Sequence, residues 1–190
     1  MLCVLIGMPG AGKTTVGRHL ARRLAVPFAD TDAIIEARLG VSIREYFQRE
    51  GEAAFRVLES EVLAEVMQNH PGVVSTGGGI VTQAPNRELL KACGCSVYLR
   101  AKPEELMRRL RHDKLRPLLQ VADPMAKLQE LFSARDAWYT ASASLILETG
   151  RPSMNLLVRD ISNRFNLPWP DPEKVQSQSS QPAHQTERSF

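Results

Sequence analysis

Cysteine, long apolar runs and net charge are all in short supply in this sequence, and each shortage removes a class of protein. Three cysteines in 190 residues make no disulfide framework. Cys3 falls within an apolar run and reads as a small core residue, while Cys93 and Cys95 lack the partner ligands at matching spacing that a metal site requires. No apolar stretch is long enough to span a bilayer, so no membrane association is expected. The sequence opens almost at once on a strand-like run and shows no signal peptide, which makes the cytoplasm the expected location. A net charge of +3 is mildly basic, suits phosphorylated ligands and is too small to argue for a nucleic-acid partner. The basic run Arg108, Arg109, Arg111, His112, Lys114 and Arg116 carries no interleaved aromatic residues on which single-stranded bases would stack. There is no internal repeat and no Asn-Lys-x-Asp guanine signature. The remaining class is a single α/β domain, for which 43% hydrophobic residues supply a sufficient core.

What is present begins at residues 7–14, Gly-Met-Pro-Gly-Ala-Gly-Lys-Thr, the full G-x-x-x-x-G-K-[ST] pattern. The apolar run at 2–6 predicts a strand before it. A helix is predicted over 13–24, with Val16, Leu20, Ala21 and Leu24 spaced for one buried face. Gly7, Gly10 and Gly12 allow backbone angles that a Cβ would forbid, so loop amides can converge on a polyphosphate at the positive end of the helix. Gly10, Ala11, Gly12, Lys13, Thr14 and Thr15 are thus candidate ATP contacts, with Lys13 reaching the terminal phosphates and the Thr14 hydroxyl available to Mg²⁺.

Further strands are expected near 26–29, 72–75, 96–99 and 145–147. Helices are expected over 32–39, 42–49, 51–69, 85–93, 103–110, 125–141 and 153–165. Gly40 and Gly51 punctuate the early helices, and Ser42 with Glu45 has the spacing of a capping box. Alternating strands and helices predict a mostly parallel sheet covered on both faces, with ligands at the carboxyl ends of its strands. Three polar motifs fall at that edge: the P-loop, Asp30-Thr31-Asp32 and Gly77-Gly78-Gly79. The domain is taken as residues 1–165, with a basic lid at about 111–124. From Asn166 to 190, prolines among Gln and Ser predict a disordered tail.

Phosphoryl transfer requires a phosphate cradle, a metal site, an acceptor site and positive charge that closes over the transferring group. Asp30 can hold a water of a Mg²⁺ shell. Asp32 can accept a hydrogen bond from an acceptor hydroxyl and act as its base, or it can simply cap the helix that follows. Arg56 is either an exposed partner of Glu59 or a cation that Glu59 aims at an anionic substrate, and both readings stand. The glycine triplet gives close backbone approach to a ligand, or is an ordinary flexible turn. Arg116, turning into Pro117-Leu118-Leu119, suits a lid arginine, a group that can accelerate related chemistry by about 10³–10⁵-fold. Lid closure would also exclude water, which would otherwise accept the phosphoryl group. Arg135 with Tyr139 four residues on reads, by itself, as a surface arginine stacked on a tyrosine.

Together these motifs resemble the shikimate kinase family over about residues 2–165. The resemblance rests on the P-loop, Asp30-Thr31-Asp32 with Glu36, Phe55-Arg56 with Glu59, Thr76-Gly77-Gly78-Gly79, Arg116-Pro117-Leu118-Leu119, and Arg135 with Tyr139. It implies a nucleoside-monophosphate-kinase-like fold with a five-stranded parallel sheet of order 2-3-1-4-5. It implies ATP-dependent phosphorylation of the 3-hydroxyl of shikimate, on the route to chorismate and the aromatic amino acids, with Mg²⁺ as cofactor. It also implies that Asp32, Arg56, Gly77, Gly78, Gly79 and Arg135 bind shikimate, with the two arginines at its carboxylate. Lys13 and Arg116 would stabilise the transition state, Thr14 would ligate the metal, Asp30 would hold it through water, and Arg109, Arg116 and Arg151 would contact ATP. Arg151 rests on a loose match at Thr149-Gly150-Arg151. A gluconate or nucleotide kinase of the same fold would not need this set, and a nucleotide-dependent switch would need no acceptor pocket. The expected partners are shikimate and ATP alone, and a monomer is expected.

Overall fold

Cys3–Ile6 forms β1, and all four of its residues are buried, as a central strand with both faces covered must be. The structure is a computed structural model that describes residues 2–111, 121–150 and 153–167. Around β1 lie β2 (Phe28–Asp30), β3 (Val73–Ser75), β4 (Ser96–Arg100) and β5 (Leu145–Glu148). All pairings are parallel and the order is β2-β3-β1-β4-β5, the topology the resemblance implied. The helices are α1 (Lys13–Leu24), α2 (Thr31–Leu39), α3 (Ile43–Asn69), α4 (Ala84–Ala92), α5 (Pro103–Leu110), α6 (Pro124–Ser142) and α7 (Met154–Arg164). Val16, Leu20, Ala21 and Leu24 form the buried face of α1 as their spacing predicts.

Local chemistry sets the boundaries. Asp30, rather than Asp32, caps α2: its Oδ1 accepts from the Asp32 N–H at 3.1 Å. Gly40 ends α2 in the left-handed region at φ 68°. Ser42 Oγ accepts from the Glu45 N–H at 3.2 Å, and Glu36 Oε1 takes the Ile43 N–H at 3.0 Å, so two donors of the first turn of α3 are satisfied. The two helices predicted on either side of Gly51 run on as α3 through a single non-helical residue, Gly51 at φ 81° and ψ 175°. A 3₁₀ turn at Ile80–Thr82, which no periodicity announces, follows the glycine triplet.

Cys3 and Cys95 are buried, and no group of three or more His, Cys, Asp or Glu that could hold a metal occurs among the described residues. No described helix is long and apolar enough to cross a membrane. The chain remains packed just past residue 165: Leu167 is buried, and its N–H donates to the Ser162 carbonyl at 2.9 Å. Residues 112–120, which hold Arg116 and most of the expected lid, lie outside the described residues, as do Arg151 and the residues from 168 on.

Candidate active site

The P-loop leaves β1 and enters α1 at the carboxyl edge of the sheet. Gly7 has φ 146°, and a Cβ there would stand 2.6 Å from the Leu99 carbonyl oxygen, so only glycine lets the loop turn against β4. Gly12 precedes α1 without a side-chain cap, and the first turn holds no acidic residue. The leading N–H groups and the positive end of the helix dipole are therefore offered to an anion rather than to the protein. Lys13 is buried, its Nζ donating to the carbonyls of Gly7 at 2.9 Å and Met8 at 3.1 Å.

The Thr14 hydroxyl donates to Asp30 Oδ2 at 2.8 Å and lies 3.3 Å from the Ser75 hydroxyl. The set is all hard oxygen, gathered from α1, β2 and β3 beside the phosphate cradle. That chemistry fits Mg²⁺, which takes few direct protein ligands and completes its shell with water and phosphate oxygens. Arg109, half-buried on α5, places Nη1 3.4 Å from the carbonyls of Gly10 and Ala11 and 3.0 Å from Thr149 Oγ1, while Nη2 donates to the Thr149 carbonyl. It thus ties the P-loop to the end of β5.

Beside the P-loop, three helices converge on Gly77-Gly78-Gly79. The Gly77 N–H donates to Thr31 Oγ1 at 3.2 Å. A Cβ on Gly77 would meet Asp32 Oδ1 at 2.6 Å and Glu59 Oε1 at 2.8 Å, and one on Gly78 would meet Pro9 of the P-loop at 2.6 Å. One on Gly79 would stand 2.0 Å from Arg56 Nη1. Arg135 Nη1 and the Tyr139 hydroxyl both donate to the Gly78 carbonyl, at 2.9 Å and 2.5 Å. The glycines thus make room for Pro9 and for side chains from α2 and α3, while α6 holds the loop by the Gly78 carbonyl.

The exposed reading of Arg56 does not hold. Nη1 donates to Glu59 Oε2 at 2.7 Å, and Nε and Nη2 to Glu52 Oε1 at 3.2 and 2.9 Å. Its side chain is 12% exposed and that of Glu59 only 1%, so the pair is not a solvated one. Burial pushes the Glu59 carboxyl above its ordinary value. The Arg56 guanidinium pulls the other way, and the nearby Asp32 charge adds to the rise. For Arg56 burial works to lower the pKa, but the Glu59 and Glu52 carboxylates outweigh it and the net shift is upward. The guanidinium is a fixed cation whose direction Glu59 and Glu52 set.

A family model described as Shikimate kinase matches residues 9–166, most of the chain and every described element from α1 to α7. The chain belongs to the shikimate kinase family. A shikimate kinase from Paracidovorax citrulli is 50% identical over 166 residues, covering 86% of this chain and 91% of that protein. One from Burkholderia pseudomallei is 52% identical over 164 residues, covering 86% and 89%. The solved shikimate kinase from Acinetobacter baumannii in complex with shikimate superposes with a TM-score of 0.81 at 40% identity, covering 95% of each chain.

Of the residues singled out in the sequence, the structure gathers Lys13, Thr14, Asp30 and Arg109 around the phosphate cradle and Asp32, Arg56, Arg135 and the glycine triplet around the second pocket. Thr15 is exposed on α1. Three contributors carried no separate signal: Thr31 and Ser75 supply hydroxyls, and Pro9 abuts Gly78. Tyr139, named with Arg135, is wholly buried rather than stacked at the surface. Thr31 lies inside a motif already quoted, whereas nothing in the local pattern marks Ser75.

Proposed function

We propose that the enzyme transfers the γ-phosphoryl group of ATP to the 3-hydroxyl of shikimate, giving shikimate 3-phosphate and ADP. The observation that carries this reading is one loop, Gly77–Gly79, flanked by a carboxylate and by two guanidinium groups, beside a P-loop. Such a pocket suits an acceptor that bears both a carboxylate and hydroxyls. Planar guanidinium forks match the carboxylate, and a carboxylate side chain accepts from the hydroxyls. In these roles Arg56 and Arg135 bind the acid group, Asp32 binds hydroxyls, and the amides of Gly77, Gly78 and Gly79 line the face of the ring.

Transfer forms a bond from the 3-oxygen to the γ-phosphorus and breaks the bond from that phosphorus to the β,γ-bridging oxygen. The hydroxyl proton passes to the Asp32 carboxylate. Lys13 leaves its loop carbonyls for the terminal phosphates and, with Arg116, stabilises the charge that spreads over the transferring group. Gly10, Ala11, Gly12, Thr14 and Thr15 hold the phosphates, and Arg109 and Arg151 the nucleotide. Thr14 and, through water, Asp30 would hold Mg²⁺, which would supply positive charge to the terminal phosphates. We take the enzyme to act as a cytoplasmic monomer, which sedimentation of the purified chain checks.

The test is coupled ADP release with ATP and Mg²⁺, with and without shikimate, in wild type and Asp32→Ala. Shikimate-dependent release that falls by about 10²–10⁴-fold in the variant supports the reaction and the base. Release indifferent to shikimate would sink the acceptor. Full activity in Asp32→Ala would leave the acceptor standing and remove Asp32 from the chemistry.

A further inference from the structure

A loop of three glycines has no side chains with which to hold itself, so its shape is imposed by its neighbours. Thr31 holds the Gly77 N–H and Pro9 abuts Gly78. The third anchor is the Gly78 carbonyl, where Arg135 and Tyr139, one turn apart on α6, converge on a single oxygen. The two donors are not equivalent. Arg135 is the fork assigned to the acceptor carboxylate, and a guanidinium that turns to a carboxylate commits donors to it. Tyr139 keeps its hydroxyl on Gly78. It is wholly buried, and its ring stacks on Tyr98 at 4.8 Å with an interplanar angle of 23°. Burial also drives its phenol pKa upward, so it remains a donor at every pH at which the enzyme works.

The Gly78–Gly79 peptide is planar, so pinning the carbonyl on one side fixes the direction of the Gly79 N–H on the other. Among the described residues, the N–H groups of Gly78 and Gly79 have no protein acceptor. The helix face that presents Tyr139 is itself clamped. Asp136, the residue after Arg135, accepts from the Tyr98 hydroxyl at 2.9 Å and from Arg100 Nε at 2.9 Å and Nη2 at 2.6 Å. Those bonds fix the rotation of α6 against β4.

We propose that Tyr139 is a positioning residue for acceptor binding: its hydroxyl holds the Gly78 carbonyl while Arg135 turns to the acceptor carboxylate, and Asp136, clamped by Tyr98 and Arg100, aims both. The proposal rests on the reading of Gly77–Gly79 and Arg135 as part of the shikimate pocket.

Tyr139→Phe in the full chain removes one hydroxyl and keeps the ring stack. Steady-state kinetics are measured separately against shikimate and against ATP with Mg²⁺. KM for shikimate should rise about 5–30-fold, with kcat within about threefold and KM for ATP unchanged. Asp136→Asn, which keeps the shape and removes the charge, should show the same split more weakly. An unchanged shikimate KM in Tyr139→Phe overturns the proposal, as does a parallel worsening of both KM values and kcat, the mark of general structural damage. Should Tyr139→Phe fail to fold, Asp136→Asn decides by the same split. Arg135→Ala separates the underlying reading: an unchanged shikimate KM there removes Arg135 from the pocket whatever Tyr139 does.

Discussion

Glu59 is a carboxylate with 1% of its side chain exposed, and its surroundings hold Arg56, Asp32 and Arg135. Its charge disfavours the fold on burial, and its bond to Arg56 offsets that cost. The sign of its pH effect follows from the upward shift. The destabilising share of the ionised form is absent below the ordinary carboxylate range, grows as pH rises through the raised value, and is constant above it. For binding, the direction reverses. Protonation on going below the raised value weakens the hold on Arg56 Nη1, so shikimate KM should climb as the assay is taken from about pH 8 towards pH 5. In Glu59→Gln the KM should be raised at every pH, by about tenfold, and its climb flattened. A shikimate KM that ignores both the substitution and the pH would show that Glu59 does not aim Arg56. The spacing of Arg56 and Glu59 on one helix face was legible in the sequence, but burial was not. A pair three residues apart looks the same on a wet surface as beneath a glycine loop, and only the packing of α3 against that loop separates the two.

Among the elements, α3 shows how local signals and tertiary contacts divide the work. Gly51 marks a break, and the structure keeps one there, at a φ and ψ that only glycine adopts readily. Beyond its chain neighbours and the adjoining helix backbone, nothing lies within 4 Å of where its Cβ would be, so Gly51→Ala tests backbone strain with little steric confusion. The variant should lose about 1–3 kcal/mol, read as a fall in Tm of about 3–10 °C, with far-UV circular dichroism retained. An unaltered Tm would mean that the kink relaxes at no cost. Helices longer than two turns were predicted to within about two residues at their ends, because caps and apolar spacing are written locally. The 3₁₀ turn was not, because its partners are assembled by the fold: Asn86 Nδ2 on the Ile80 carbonyl at 3.0 Å, and Arg87 Nη1 on those of Val81 at 2.8 Å and Thr82 at 3.1 Å. Of the two readings left open for Asp32, the cap is removed for a similar reason. Strand β2 runs to Asp30, which places the cap two residues earlier and leaves the Asp32 side chain facing Gly77.

For the molecule as a whole, both groups of site residues lie at the carboxyl edge of one sheet and touch where Pro9 abuts Gly78, so ligands binding the native state should stabilise the entire domain. Shikimate at about 100 times its Kd should add about 2.7 kcal/mol, visible as a rise in Tm, whereas a stereoisomer that cannot satisfy Asp32 should add much less. Removing divalent metal with a chelator should abolish turnover yet leave the ligand-free melting temperature where it was, because Thr14 and Asp30, the oxygens that would hold Mg²⁺, already satisfy each other at 2.8 Å. A chelator that lowers Tm would reveal a structural ion. Local pattern was enough to decide the phosphate chemistry, the alternation of strands and helices, and the residue types available at the sheet's edge. The reason is that a P-loop, an amphipathic face and a cap are each written within about a dozen consecutive positions. Tertiary structure alone decided which of those residues meet. Thr31 reaches Gly77 across 46 positions, and Tyr139 reaches Gly78 across 61. Whether a carboxylate such as Glu59 is a solvated partner or a buried one is likewise a property of the layers packed over it. Contacts at such separations depend on the order in which parallel strands lie side by side, and no local period along the chain encodes that order.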